Sequence, residues 1–131
     1  MAEGLSAANV VTPWLNFLGG TTPTAPSALW VELHTANPGA SGTTAVSVGN
    51  ATRKQVTVTT SAAGSAIALS GTAPSWTNGG TSETITDVAV FSASSSGTFL
   101  WSVALTSSQA WVSGNTFTLS TLGVSITPQA A

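Results

Sequence analysis

Two ionisable side chains two positions apart, Glu32 and His34, are the first candidates for chemistry in this chain. They lie in the segment ALWVELHTANPGASG, and His34 is the only histidine of the sequence. On a β-strand such residues share a face, with Cα atoms roughly 6.5–7 Å apart, so their side chains can reach one another. An acid and a base in this relation would suit proton transfer if a nucleophile lay beside them.

The rest of the sequence does not complete a site around this pair. Serine is abundant, but there is no Gly-x-Ser-x-Gly turn to present a nucleophile. Zinc needs three or four ligands, and the chain has one histidine and no cysteine. Glu83 and Asp87 would lie roughly 13 Å apart on a strand, too far for a glycosidase pair without Glu32. We therefore expect no enzymatic activity, no cofactor and no metal, and interpret Glu32 and His34 as solvated or partner-facing strand residues.

Charge is scarce throughout the chain. Charged residues make up 5% of the 131 positions, with 2 Lys+Arg against 4 Asp+Glu, while 42% are hydrophobic. Arg53 and Lys54 are too few to displace counterions from nucleic acid or to bind an anionic membrane, so we expect neither partner. The N-terminus lacks the basic and apolar regions of a signal peptide, and no apolar run is long enough to span a membrane. These features predict a soluble protein made in a cytoplasm.

A short amphipathic helix is predicted near the start of the chain, in the segment VTPWLNFLGG. Thr12 is the expected N-cap, Pro13 the first helical residue, and Gly19–Gly20 the stop. The preceding LSAANVV either extends this helix with a kink at Pro13 or caps it loosely. The apolar stripe of the helix is a candidate for packing on the sheet or on a partner, and it consists of Trp14, Phe17 and Leu18.

Period-two alternation after the Thr/Pro connector predicts β-strands. Apolar residues in segment 29–34 alternate with Trp30, Glu32 and His34, and Pro38–Gly39 then fits a type II turn. Further alternating segments, joined by loops rich in glycine and serine, bring the total to about eight strands. The fold prediction is all-β: a single jelly-roll-like β-sandwich with one short N-terminal helix.

The chain is predicted to form one domain. Residues 1–27 would form an N-terminal arm and helix that pack on the sandwich or on a partner, and residues 28–131 the sandwich. Segment 54–70 is predicted to be a hairpin with Gly64 in its loop.

Five tryptophans are many for so small a chain. Trp14 and Trp101 lie on apolar stripes and are predicted to be buried. Trp30 is expected to be covered by the helix or by a neighbouring subunit. If Trp30, Trp76 and Trp111 clustered on one exposed face, they could instead stack on sugars or pack on a partner protein.

Several segments resemble a family of small structural proteins from tailed-bacteriophage particles. The stretch PWLNFLGGTTPTAPSALWVELHTANPGASGT is similar to the family's opening, a helix ending in Leu-Gly-Gly, a Thr/Pro connector, and a strand running into Leu-His-Thr-Ala-(Asp/Asn)-Pro-Gly. The segments RKQVTV, ITDVAVFSASSSGTFLWSVAL and VSGNTFTLSTLGVSIT resemble later parts of it. The resemblance spans Pro13 to Thr127, and this chain has Asn37 where aspartate is common.

The resemblance implies a non-enzymatic structural component of a bacteriophage virion, assembled in the host bacterial cytoplasm. Members are called tail fibre, minor tail or head-decoration proteins. We expect a capsid decoration (minor capsid) protein that reinforces the head shell and binds the major capsid protein or another virion protein. A nearly uncharged Ser/Thr surface also suits contacts between copies, so we expect a homo-oligomer such as a trimer. The alternative is a tail-associated fibre or minor tail protein that contacts host-surface carbohydrate.

Overall fold

A seven-stranded antiparallel sheet forms the body of the protein. The computed structural model describes residues 3–60 and 65–126, and within them nine strands. The order in the large sheet is β1-β7-β6-β2-β3-β4-β9, and β5 pairs with β8 in a separate ribbon. The strands are β1 Gly4–Leu5, β2 Leu29–His34, β3 Lys54–Thr60, β4 Ala66–Ser70, β5 Ser75–Thr77, β6 Glu83–Phe91, β7 Phe99–Trp111, β8 Thr116–Thr118 and β9 Gly123–Ser125.

This architecture confirms the predicted all-β class with one short N-terminal helix. The strands are divided seven and two, because β5 and β8, each three residues long, pair only with each other. The edge strands β1 and β9 supply Leu5 and Val124 to the same surface groove. The large sheet therefore curves until it is nearly closed. The predicted loop at Gly64 lies outside the described residues.

The inner face of the curved sheet holds the main hydrophobic core. Val31 lies opposite Val90 and Leu33 opposite Val88 in the register of β2 and β6, and all four side chains are fully buried. The ribbon closes the core from the other side with Trp76, which is 1% exposed. Alternation on β2 thus predicts the inner face correctly, because period-two spacing places Val31 and Leu33 on one side of the sheet.

The outer face of the central strands is buried as well. Residues 35–53, here called the covering loop, leave the end of β2 and return to the start of β3. Gly39 has φ 77°, the positive value predicted for the third residue of a type II turn. Gly42 of the same loop lies against Phe99, which packs on Phe91 with a centroid separation of 5.7 Å. The centre of the sheet is therefore packed on both sides.

The helix α1, Thr12–Leu18, is the continuation of a π-helical turn at Ala7–Val11. Ser6 is the N-cap, since its side chain accepts a hydrogen bond from the backbone of Asn9, whereas Thr12 already has helical dihedrals. The predicted N-cap at Thr12 is wrong, because the helical conformation begins one turn earlier, at Ala7. Of the two alternatives predicted for LSAANVV, the structure shows that the segment extends the helix. The predicted stop is confirmed: Gly19 is the C-cap and Gly20 has φ 91°.

Gly42 tests how tightly the covering loop lies on the sheet. A Cβ atom at this position would lie 2.2 Å from the Phe99 ring, and the backbone has φ 72°. We expect Gly42→Ala to lower the free energy of unfolding by about 2–4 kcal/mol, combining backbone strain with overpacking. Gly114→Ala is the matched control, since Gly114 has φ 85° with nothing within 4 Å of the added atom. Its loss should be smaller, and equal losses in denaturant titrations would contradict close packing at Gly42.

Candidate functional site

Three ionisable side chains meet beneath the covering loop, and we call them the charged cluster: Glu32, His34 and Arg53. The Arg53 Nε atom lies 3.1 Å from Glu32 Oε1, and His34 Nε2 lies 3.4 Å from Glu32 Oε2. Their side chains are between 0% and 11% exposed. Strand parity places Glu32 and His34 side by side on the outer face, and Arg53 joins them from the end of the covering loop.

The charged cluster fastens two loops to the sheet. His34 Nδ1 donates to the carbonyl of Thr44 in the covering loop over 2.8 Å. Arg53 Nη1 donates to the carbonyl oxygens of Ser96 at 2.6 Å and Ala93 at 3.3 Å, in the loop between β6 and β7. The guanidinium carbon also lies 3.4 Å from the centroid of the Phe91 ring. Arginine suits this position because its planar group can pair, donate to carbonyls and stack at once.

Glu32 is held in its ionised form. Burial raises the pKa of its carboxyl group, because a charge removed from water loses solvation. The neighbouring His34 side chain and the charge and hydrogen bond of Arg53 lower the pKa by more than burial raises it. The pKa of Glu32 therefore lies below its ordinary value, so the carboxylate is ionised at neutral pH and pairs with Arg53.

The geometry of the charged cluster does not suit catalysis. Asp87 lies opposite His34 in the strand register, and Glu32, His34 and Asp87 are all buried. The surface groove described below is lined by other residues. Within residues 3–60 and 65–126, no three acidic, histidine or cysteine side chains are arranged to hold a metal ion.

The solvated or partner-facing position predicted for Glu32 and His34 is therefore corrected. Both lie on the outer face, as their spacing predicts, but the covering loop folds back over that face.

The tryptophans do not form the exposed platform that one sequence interpretation requires. Trp76 and Trp111 are 1% and 3% exposed, and their indole N–H groups donate to carbonyl oxygens within the chain. Trp30 is half-buried on the outer face, opposite Phe91. Trp101 is buried as predicted, whereas Trp14, predicted to be buried, is 57% exposed. A sugar-binding cluster of Trp30, Trp76 and Trp111 is excluded by this burial.

The helix instead presents a large apolar surface to solvent. Its residues Trp14, Phe17 and Leu18, predicted from spacing as one stripe, are 57%, 58% and 80% exposed. Leu15 adds to them at 62%, and Val11 of the preceding turn at 40%. We call these five residues the helix face. Across the described parts of the chain, no helix has the length and apolarity needed to cross a membrane.

A groove of about 820 Å³ runs beside the helix face. One wall is formed by the helix and the Thr/Pro connector, and the other by the two edges of the curved sheet. Trp14 belongs to both surfaces, since it lines the groove and is exposed. The lining is mostly apolar and includes Pro13, Trp14, Pro26, Ile67, Trp101 and Val124. The helix face and the groove thus form one continuous apolar surface.

A comparison with protein families identifies the family to which this chain belongs. A family model described as "Podophage GP4 fiber I protein gp80" matches residues 7–127. The chain belongs to this gp80 family. The match begins at the π-helical turn and runs past β9, so it covers the helix, the ribbon and every strand of the large sheet except β1. No match is found among curated proteins.

Membership of the gp80 family confirms the coarser part of the sequence interpretation, a phage structural protein of the virion. The predicted signature, Leu-His-Thr-Ala-x-Pro-Gly, is not itself tested by the match and stays a prediction. In the structure this stretch is the end of β2 and the first turn of the covering loop, with His34 in the charged cluster.

Sequence reasoning missed Arg53 and Leu15. Arg53 is one of only two basic residues in a chain with almost no charge. That scarcity is the signal that could have paired it with a buried acid, because a lone buried carboxylate is costly. Leu15 lies at i+4 from Val11 and i+3 before Leu18, so extending the stripe by these spacings would have found it.

Removing the arginine of the charged cluster should destabilise the fold strongly. Arg53→Met leaves Glu32 buried without its partner and frees the loop that Arg53 holds, so we expect a loss of about 3–5 kcal/mol in the free energy of unfolding. Lys54→Met, at the adjacent and half-buried lysine, is the control and should change it by about 0.5 kcal/mol or less. Urea titration measures both, and similar small losses would show that the cluster is dispensable.

The lowered pKa of Glu32 predicts how stability depends on pH. The stabilisation from its ionised form is fully present above the ordinary glutamate pKa of about 4.3 and is lost as pH falls through the lower folded-state pKa. Glu32→Gln should therefore be clearly less stable than the wild type at pH 7, and the difference should shrink toward pH 3. Unfolding free energies measured across this range test the prediction, and a constant difference would contradict it.

Proposed function

We propose that the chain is a non-enzymatic structural subunit of a fibre on a podophage virion, assembled in the host bacterial cytoplasm. The observation that carries this proposal is the gp80 family match over residues 7–127, because the family's description names a fibre protein. The match extends over the helix and all the described strands except β1, so the resemblance to the family covers nearly the whole fold. The proposal therefore favours the fibre alternative of the sequence interpretation over capsid decoration.

The electrostatics of the described chain support a role in fixed contacts. Glu32 and Arg53 pair with each other, and Glu83 accepts hydrogen bonds from the backbone of Val48 and Gly49 and from Ser47. These charges hold loops in place and are not offered to a mobile ligand. A surface with so little free charge gives weak long-range steering, which suits neighbours that are built in once and held by shape.

Host-surface carbohydrate is not part of this proposal. The sequence interpretation would bind sugar through exposed tryptophans, and the burial of Trp76 and Trp111 removes that platform. Capsid decoration remains the second candidate, because a neutral Ser/Thr surface would also suit binding to a fixed shell of major capsid protein. The two candidates differ in where the chain lies on the particle.

Electron microscopy of intact particles, labelled with a gold-conjugated antibody against this chain, separates the candidates. We expect label on fibres at the tail, and none on particles from a phage in which the coding sequence is deleted. Label spread over the head in many copies would overturn the fibre assignment in favour of decoration. Infected cells that contain the chain but yield unlabelled particles, with the epitope shown to be accessible, would overturn the virion assignment itself.

A further inference from the structure

The largest unexplained feature of the described chain is the exposed helix face. Of the large hydrophobic residues that are exposed within residues 3–60 and 65–126, all but three belong to it, and Ile126, one of those three, lines the adjoining groove. Val48 and Val112 lie outside it. Single exposed apolar residues are normal on a protein surface, but a contiguous patch of this kind marks an interaction site.

The area of the helix face is enough for a stable contact. A large apolar side chain presents roughly 150–250 Å² when fully exposed. At exposed fractions between 40% and 80%, the five residues offer on the order of 600 Å² per chain. Two such surfaces buried against each other would remove about 1,200 Å² from water, which reaches the range of specific protein interfaces.

The chemistry of the surface fits another copy of the chain. Neither the π-helical turn nor α1 carries an acidic residue in its first turn or a basic residue in its last. An ordinary protein surface, on which about a quarter of residues are charged, would have to lose solvation of its charges against this face. A second copy, with 5% charged residues, brings almost none.

The shape of the surface also fits a second copy. The helix face is a ridge and the groove beside it is a cavity of about 820 Å³, a volume that holds several large side chains. Trp14 belongs to both, so ridge and groove lie side by side. An isologous contact needs this arrangement, since the ridge of each copy can then enter the groove of the other.

At its edge strands β1 and β9, the sheet offers little surface for association. Its two edge strands are short, with β1 two residues long and β9 three. Short edges limit strand addition by another chain, because few unpaired backbone groups are available. We infer that the helix face and its groove are a self-association surface, through which copies of this chain pack against one another helix to groove.

This inference goes beyond the proposed function, and the two can fail separately. Labelled particles test where the chain lies, whereas self-association is tested with the purified full-length chain alone. Absence from fibres would leave the self-association result untouched, and a purified monomer would leave the fibre assignment untouched.

The first measurement is the mass of the purified chain by light scattering after size exclusion, over a concentration series of about 1–100 μM. We expect an oligomer that dissociates on dilution. Phe17→Gln combined with Leu18→Gln should raise the dissociation constant on the order of 100-fold or more, because two large apolar side chains lose their burial. Val48→Gln is the matched control, since Val48 is 76% exposed against 80% for Leu18 but lies outside the helix face.

Circular dichroism and thermal unfolding accompany the mass measurement. Both residues of the double variant are well exposed, so its fold should be that of the wild type, and loss of the oligomer can then be assigned to the surface. A wild-type chain that is monomeric up to 100 μM would overturn the inference, and would leave a different virion protein as the occupant. An oligomer that survives the double variant would overturn it too.

The second measurement locates the contact directly. The chain has no cysteine, so Leu18→Cys and Val48→Cys each introduce a single thiol. At concentrations where the oligomer forms, alkylation of the Leu18→Cys thiol should slow at least several-fold relative to the dilute chain, while the Val48→Cys thiol should react at the same rate throughout. Equal, concentration-independent rates for both thiols would overturn the helix face as the contact surface.

Discussion

The ion pair between Glu32 and Arg53 is the interaction on which the central part of the fold depends. It lies on the outer face of β2, a face that an antiparallel sheet commonly leaves to water. Because Arg53 also binds the carbonyls of Ala93 and Ser96, the pair holds the β6–β7 loop on that face, while His34 holds the covering loop through Thr44. Strands β2 and β6 are buried on both faces as a result.

The use of the few charged groups explains the neutral surface of the protein. A buried ion pair is rarely a strong source of stability, but losing one partner is costly, so it fixes which loop lies where. Glu83 also fixes the second half of the covering loop, where its carboxylate accepts hydrogen bonds from the backbone of Val48 and Gly49. With Glu32, Arg53 and Glu83 bound within the chain, few charged residues remain for the surface.

Features that depend on local spacing, such as which face of a strand a residue occupies, can be predicted from the sequence. Burial of a face by segments that are distant along the chain cannot. Alternation identifies β2 and its inner residues Val31 and Leu33, since strand parity alone decides which side they occupy. It cannot reveal that Glu32 is covered, because the cover comes from Arg53 and from residues 92–98, far along the chain. The same limit applies to Trp14: spacing finds an apolar stripe on the helix but not whether the protein itself buries it. Trp76 lies on β5, a strand of three residues, which is too short for an alternation of apolar and polar residues to be recognised in the sequence.

The attachment of the helix has a mechanical consequence. A seven-residue helix is too short to be stable alone, and this one is joined to the sheet by the Ser6 backbone bond to Leu100 and the Asn9 side-chain bond to Phe99. Both acceptors lie at the start of β7, the longest strand, which pairs with β6 along most of its length. A pull on the helix is therefore carried into β7, the strand next to the β1 edge of the sheet, and is shared by its backbone hydrogen bonds to β6. In a fibre, neighbouring copies joined through this helix would be coupled through their longest strands.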